Sequence, residues 1–259
     1  MNSANVDILF LCNNTIMKIT AISTQKLAHE AGKALNKKLA LSKNKPYLLM
    51  LSGGSSLALL EYLDTRLFGD QTTIAVTDER FSKDEKENNF ALVMTTDFYK
   101  KAKECGAKFI DTRVEDDETL EEHGKRFESE LKKWRSKNPE SFIYAAIGIG
   151  SDGHVAGIMP YPFDTSLFYK HFQSEKWVVG YNAGMKNPFS LRSTITLSFI
   201  RGQISFAVSY ISGENKRLAL EKVLASDGTL METPARILRE VKDAHIYTDI
   251  KLKKKPFNI

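Results

Sequence analysis

Cysteine is scarce in this chain: Cys12 and Cys105 are the only two, far apart and without CxxC spacing. A disulfide framework and a thiolate metal site are thereby excluded, and a reducing compartment fits. Long apolar runs are missing as well. Stretches such as Ile8 to Cys12 and Leu48 to Leu51 fall far short of the roughly 20 residues needed to cross a bilayer. No Lys or Arg precedes the first short apolar run, which Asn13, Asn14 and Thr15 then interrupt. The layout of a secretory signal is absent, and a cytoplasmic protein without a membrane partner is expected. No Gly-Lys-Ser/Thr follows a glycine-rich turn, which argues against a nucleoside triphosphate, and no HExxH spacing unites the five histidines. Neither a metal nor another cofactor is expected. Repeats, low-complexity linkers and composition breaks are also missing, so one domain over residues 1–259 is expected.

What is present is ordinary for a folded globular protein: 259 residues, 42% hydrophobic and 27% charged. The net charge of +5 and a pI near 9.0 suit an acidic ligand. The basic residues are spread along the chain, and only Lys251 to Lys255 form a run. That run reads as a solvated tail and not as a nucleic-acid arm.

Strand-like and helix-like segments alternate, which predicts an α/β layer fold. Leu27, Ala31, Leu35 and Leu39 recur every four residues and mark a helix between about Thr24 and Ser42. Tyr47 to Leu51, Thr73 to Val76, Phe142 to Ile147 and Ile204 to Ile211 read as strands, and Ile195, Leu197 and Phe199 alternate as in a half-buried one. Leu57, Leu60 and Leu63 suggest a second helix. Leu120, Phe127, Leu131 and Trp134 define another, opened by Asp116, Asp117 and Glu118. A further helix runs through Leu220 and Leu224, and Thr233-Pro234 starts the last.

Four strands end in chemically active residues: Ser52 to Ser56, Asp78 to Arg80, Asp152 to His154 and Gly213 to Lys216. Open α/β sheets bind ligands at the carboxyl ends of their strands, so these segments are expected to converge. Gly53, Gly54 and Ser55 form a turn whose amides suit a phosphate or carboxylate, or simply a tight strand-to-helix turn with no ligand. His154 lies in a glycine-rich loop beside Asp152. An imidazole can take a proton from water at neutral pH, and the carboxylate could orient it; a structural loop histidine is the other reading. His29, His123, His171 and His245 lack such surroundings and read as surface or packing residues. Lys216 opens a helix after Gly213 and Arg192 stands just before a strand. Each reads alone as a solvated charge, and together with the glycine turn they suggest a phosphate pocket.

These residues resemble the 6-phosphogluconolactonase and glucosamine-6-phosphate deaminase superfamily. Leu51 to Ser56 is similar to its LSGGST turn, Asp78-Glu79-Arg80 to its DER segment, and Asn88-Asn89-Phe90 to the Ser-Asn-Tyr that follows. Gly148 to Pro160, GIGSDGHVAGIMP, resembles GxGxDGHTASLFP, and Arg192 to Leu197 resembles RITLTL. Gly213 with Lys216 matches a late GxxK. The motifs stand in the family's order and cover most of the chain. Val155, Gly157 and Leu57 depart from the lactonase pattern, where Thr, Ser and Pro stand, and Lys186 to Arg192 is only loosely similar to its Lys-Pro-Pro-Pro segment.

The resemblance implies a three-layer α/β/α, Rossmann-like domain with a central parallel-rich sheet and a sugar-phosphate site at its strand ends. Deaminases have DEY where this chain has Asp78-Glu79-Arg80, and a Glu where it has Met159, so the lactonase branch is indicated. That implies hydrolysis of 6-phosphoglucono-δ-lactone to 6-phosphogluconate without a metal. His154 would be the base and Asp152 its support, and backbone amides or Arg80 would meet the oxyanion. Arg192, Lys216 and the Gly53-Gly54-Ser55 turn would hold phosphate, while Asp78 and Asn89 would support loops or contact sugar hydroxyls. The partner is then a small sugar-phosphate lactone, with the protein a monomer or weak homo-oligomer. Alternatives are another aldose- or amino-sugar-phosphate reaction, such as glucosamine-6-phosphate deamination, and a non-catalytic sugar-phosphate sensor. Sensor domains of this kind follow a helix-turn-helix, and the stretch before Pro46 is too short to hold one beside the first helix.

Overall fold

Tyr47, Leu49 and Leu51 point to one side of their strand and Leu48 and Met50 to the other, and all five side chains are buried. Such a strand must have a packed layer on each face, and the whole fold follows that plan. The structure, a computed structural model, describes residues 6–12, 15–42, 44–161, 163–186 and 188–252. Its strands are β1 (Val6–Cys12), β2 (Thr15–Ala21), β3 (Tyr47–Leu51), β4 (Thr72–Val76), β5 (Asp78–Arg80), β6 (Lys108–Phe109), β7 (Phe142–Ile147), β8 (Val178–Asn182), β9 (Leu191–Ile195), β10 (Phe206–Ile211) and β11 (Asp243–Thr248). The α-helices are α1 (Thr24–Ala40), α2 (Asn89–Met94), α3 (Asp97–Glu104), α4 (Leu120–Lys137), α5 (Thr165–Phe172), α6 (Leu197–Gln203) and α7 (Arg217–Leu224).

Eight strands form the main sheet in the order β1-β2-β11-β10-β7-β3-β4-β6. Only β1 is antiparallel to its neighbour; the other seven run parallel. One face packs on α1, α2 and α3 through Leu35, Leu39, Phe90 and Phe98, and the opposite face on α4 to α7 through Phe127, Leu131, Phe168, Phe199 and Leu220. This is the expected three-layer α/β/α arrangement. A second, antiparallel sheet, β5-β9-β8, lies outside it and carries Asp78, Arg80 and Arg192. Among the described residues, no helix is long and apolar enough to cross a membrane.

Several expectations need correction. Ile195, Leu197 and Phe199 do not share a strand: β9 ends at Ile195, and Thr196 caps α6 by accepting a hydrogen bond from the Phe199 amide at 3.1 Å. Arg192 lies inside β9 and not before it. Asp78-Glu79-Arg80, expected as a strand end, is itself β5. The segment through Leu57 and Leu60 is a 3₁₀ helix, Gly54–Tyr62, as is Pro234–Glu240. In the first of these, Ser56 Oγ reaches back to the carbonyls of Ser52 (2.9 Å) and Gly53 (2.7 Å). Helix α4 starts after the acidic cluster, with Thr119 and Glu122 forming a reciprocal capping box. Residues 253–255 of the basic run lie outside the described residues.

Candidate active site

Strands β3 and β7 are neighbours, yet the chain leaves them in opposite directions across the sheet. From β3 it goes on to β4 and β6, and from β7 to β10 and β11. The loops after the two strands therefore part, opening a crevice at the switch point. The Ser52–Ser56 turn stands on one side of it and Gly148–His154 on the other.

In the second loop, His154 Nδ1 meets Asp152 Oδ1 at 2.6 Å, and the same carboxylate oxygen accepts the His154 amide at 3.1 Å. A carboxylate accepts, so Nδ1 carries the proton and Nε2 the lone pair. Among the described residues, Nε2 makes no hydrogen bond to the protein. Burial alone would raise the Asp152 carboxyl, but the hydrogen bond and charge of His154 outweigh it and hold it below the usual range. The pair folds directly over Gly150. A Cβ there would lie 2.1 Å from both Cε1 and Nδ1 of His154 and 2.7 Å from Asp152 Oδ1, so only glycine lets the imidazole and carboxylate close on each other.

The outer sheet supplies the cationic side. Residues alternate along a strand, so Asp78 and Arg80 share one face of β5, and Arg192 and Thr194 are paired with them on β9. Arg192 Nη1 approaches Asp78 Oδ2 at 3.5 Å with both side chains buried, and Arg192 Nε donates to the Phe189 carbonyl at 3.0 Å. Arg80 stacks on Phe189, 4.0 Å from guanidinium to ring centroid, and donates to the Glu87 carbonyl. Asn89 Nδ2 donates to the Asp78 carbonyl at 2.9 Å, while its Oδ1 is buried without a hydrogen-bond partner among the described residues. That oxygen faces Gly53, where a Cβ would come within 2.3 Å of it. At Gly157 a Cβ would lie 2.8 Å from that of Thr194 and 3.0 Å from that of Asp78. Thr194 Oγ1 accepts the Gly157 amide, so Thr194 fills the space that a serine at 157 would need.

Glu79 and Ser193 are paired on the opposite face and hold this sheet from behind. Glu79 is fully buried and accepts hydrogen bonds from the amides of Arg80 (2.8 Å), Asn89 (2.5 Å) and Phe90 (2.9 Å) and from Thr112 Oγ1 (2.9 Å). His123 donates from Nε2 to the Thr112 carbonyl at 2.8 Å, which leaves Nδ1 to accept Ser193 Oγ at 2.7 Å. This anchoring role of Glu79 was not read from the sequence, although strict alternation in Asp-Glu-Arg was its available signal. Burial pushes the Glu79 carboxyl from 4.5 up to about 7 despite its donors. Between those values the folded protein holds a proton that the unfolded chain has released, so this group's contribution to stability falls as pH rises. By urea denaturation, the stability of the wild type relative to Glu79→Gln should be greatest near pH 4.5 and shrink on approaching pH 7. A pH-independent difference would refute this titration.

Lys216 completes the other side. Its Nζ donates to Ser55 Oγ at 3.1 Å, joining the turn after β10 to the turn after β3. Burial lowers the lysine pKa, and the charge of Asp249 opposes that. The structure thus links Gly53, Asn89, Asp78 and Arg192 in one set of contacts, Lys216 with Ser55 in a second, and His154 with Asp152 in a third. The second and third sets follow the ends of β3, β10 and β7, and the first joins the turn after β3 to the outer sheet through Gly53 and Asn89.

A family model described as glucosamine-6-phosphate isomerases/6-phosphogluconolactonase matches residues 22–247. A 6-phosphogluconolactonase from Borreliella burgdorferi is 30% identical over 112 residues, which span 42% of this chain and 43% of that relative's length. Among solved structures, a 6-phosphogluconolactonase from Shewanella baltica superposes with a TM-score of 0.70 at 19% identity, covering 89% of this chain and 96% of its own. One from Plasmodium vivax gives 0.69 at 15% identity over 93% and 92%. At these identities the solved structures establish a shared fold. The family model itself runs from the start of α1 nearly to the end of β11, through every strand-end loop described above. On that match the chain belongs to the glucosamine-6-phosphate isomerase/6-phosphogluconolactonase family.

Proposed function

We propose that the chain hydrolyses 6-phosphoglucono-δ-lactone to 6-phosphogluconate, the lactone-opening step of the oxidative pentose phosphate pathway. The observation that carries this reading is the 2.6 Å contact between His154 Nδ1 and Asp152, which leaves the Nε2 lone pair available to a water. Nε2 takes a proton from water as its oxygen attacks the ring carbonyl carbon. Backbone amides or the Arg80 guanidinium meet the negative charge that develops on the carbonyl oxygen. The bond between that carbon and the ring oxygen then breaks, and the ring oxygen leaves with the proton held on His154. Water is consumed, and the product is a hydroxy acid.

Lys216, Ser55 and Arg192 bind the phosphate, and Asn89 Oδ1, a buried acceptor with no partner among the described residues, receives a sugar hydroxyl. Met159 supports a lactonase over a deaminase, because its side chain is fully buried in the apolar core and cannot relay a proton to His154. A cytoplasmic setting suits both the chemistry and the scarcity of cysteine.

The reading is tested by generating the lactone in situ and following its loss above the spontaneous rate, with ammonia release from glucosamine 6-phosphate measured in parallel. Lactone loss without ammonia is expected, and comparable ammonia release would sink the proposal. Phosphate recognition should separate from chemistry: Lys216→Ala should raise KM by roughly one to two orders of magnitude with kcat nearly unchanged. A defect confined to kcat would contradict the role given to Lys216.

A further inference from the structure

We infer that Asp249 is a positioning residue for Lys216, clamping the turn after β10 so that the lysine ammonium meets Ser55. The inference rests on the reading of Lys216 as a phosphate ligand. Asp249 follows directly on β11, and its carboxylate gathers two elements, the turn after β10 and the start of α1, through three hydrogen bonds. Oδ1 accepts the Gly213 amide at 2.9 Å, and Oδ2 accepts Ser212 Oγ and Thr24 Oγ1, each at 2.9 Å. Gly213 has φ +96°, a conformation that leaves its amide turned toward the carboxylate and that side chains rarely adopt. Its carbonyl accepts the Lys216 amide at 3.1 Å, so the residue that Asp249 grips also holds the lysine backbone.

The other flank of the turn is locked separately. Arg217 pairs with Glu214 and donates from Nη1 to the Lys251 carbonyl at 2.9 Å. Residues 249–251 therefore back the turn from both sides, and a flexible lysine is delivered from a fixed Cα to the Ser52–Ser56 loop. The clamp is ionised: burial would raise the Asp249 carboxyl, but the Gly213 amide and the two hydroxyls hold it below the usual range. The sheet does not depend on it, because β10 and β11 are already joined by a parallel ladder from Ala207↔Ala244 to Ile211↔Thr248. Loss of the carboxylate should thus loosen the turn and leave the fold intact.

The experiment measures lactone kinetics, inhibition by inorganic phosphate and thermal melting for D249A, D249N, K216A and D249A/K216A in the full chain. D249A should raise KM and the phosphate inhibition constant together, by about tenfold, with kcat within about twofold of wild type. D249N should recover most of that loss, since an amide oxygen still accepts the Gly213 amide and either hydroxyl can reverse its role. On the K216A background, D249A should have no further effect on KM. A lower melting temperature with unchanged KM and phosphate inhibition overturns the inference, and so does an equal KM effect with and without Lys216. If K216A itself leaves KM and phosphate inhibition unchanged, the phosphate reading fails and the inference falls with it. If K216A raises both and D249A raises neither, the inference alone fails. Should D249A not fold, a Thr24→Ala/Ser212→Ala double variant strips two donors from the carboxylate, and a KM rise of about threefold is expected; no rise overturns the inference.

Discussion

His154→Asn should lower kcat about 10²- to 10⁴-fold while KM changes little, the cost of removing a general base from a site whose binding groups stay in place. Asparagine can still donate to Asp152 from its amide, so the loop keeps its inner hydrogen bond. What it loses is the Nε2 lone pair that Asp152 leaves available by holding Nδ1 protonated. Phosphate binding should survive, because Lys216 and Arg192 stand on other elements, the turn after β10 and β9. The lactone opens spontaneously, so rates must be read after subtracting the uncatalysed background. A folded H154N protein with near wild-type turnover would falsify the assignment, and Asp78 would be the next candidate base.

Gly150→Ala is expected to cost roughly 10²-fold in kcat, although the residue carries no chemistry of its own. Its methyl would sit 2.1 Å from the His154 ring and 2.7 Å from the Asp152 carboxylate, and neither is the far end of a long, adaptable chain. One of the pair must move, and either movement takes Nε2 away from the water it has to deprotonate. Because His154 and Asp152 lie in a partly exposed loop, the thermal stability of G150A should fall much less than its activity. Equal losses of stability and activity, or wild-type turnover, would show that the closed pair is not needed for reaction.

Much of this site was legible in the sequence for definable reasons. Tyr47–Leu51 and Phe142–Ile147 are short apolar runs that stop at glycine-rich turns, and such runs are readable as buried strands. Their loops therefore identified Gly53, Asp152 and His154. Strand β11 was not read, because Asp243 and His245 interrupt the buried Ala244 and Ile246, so its alternation carries charged residues. Asp249 was lost with it. The error at Ile195 to Phe199 has a different origin: Ile195, Leu197 and Phe199 alternate as in a strand while Leu197 and Ile200 stand three apart as on a helix, and the cap at Thr196 decides between them. Glu79 escaped notice because a carboxylate between Asp78 and Arg80 looks like part of a polar site, whereas pleating turns it to the buried side.

The place of β2 in the sheet fixes an order of events for a chain made from its N-terminus. β2 pairs with β11 from Ile16↔Asp243 to Ala21↔Thr248, and Thr15 Oγ1 donates to the Arg239 carbonyl, 224 residues away. The β1–β2 hairpin can form early but has no place to dock until β11 has left the ribosome. Contacts so distant in sequence close slowly, since the loop entropy is lost before they form. The Thr24–Asp249 hydrogen bond spans 225 residues and closes at the same late stage. The half of the crevice built on β3 and β7 can therefore be in place on a nascent chain before the arm that carries Lys216 is fastened.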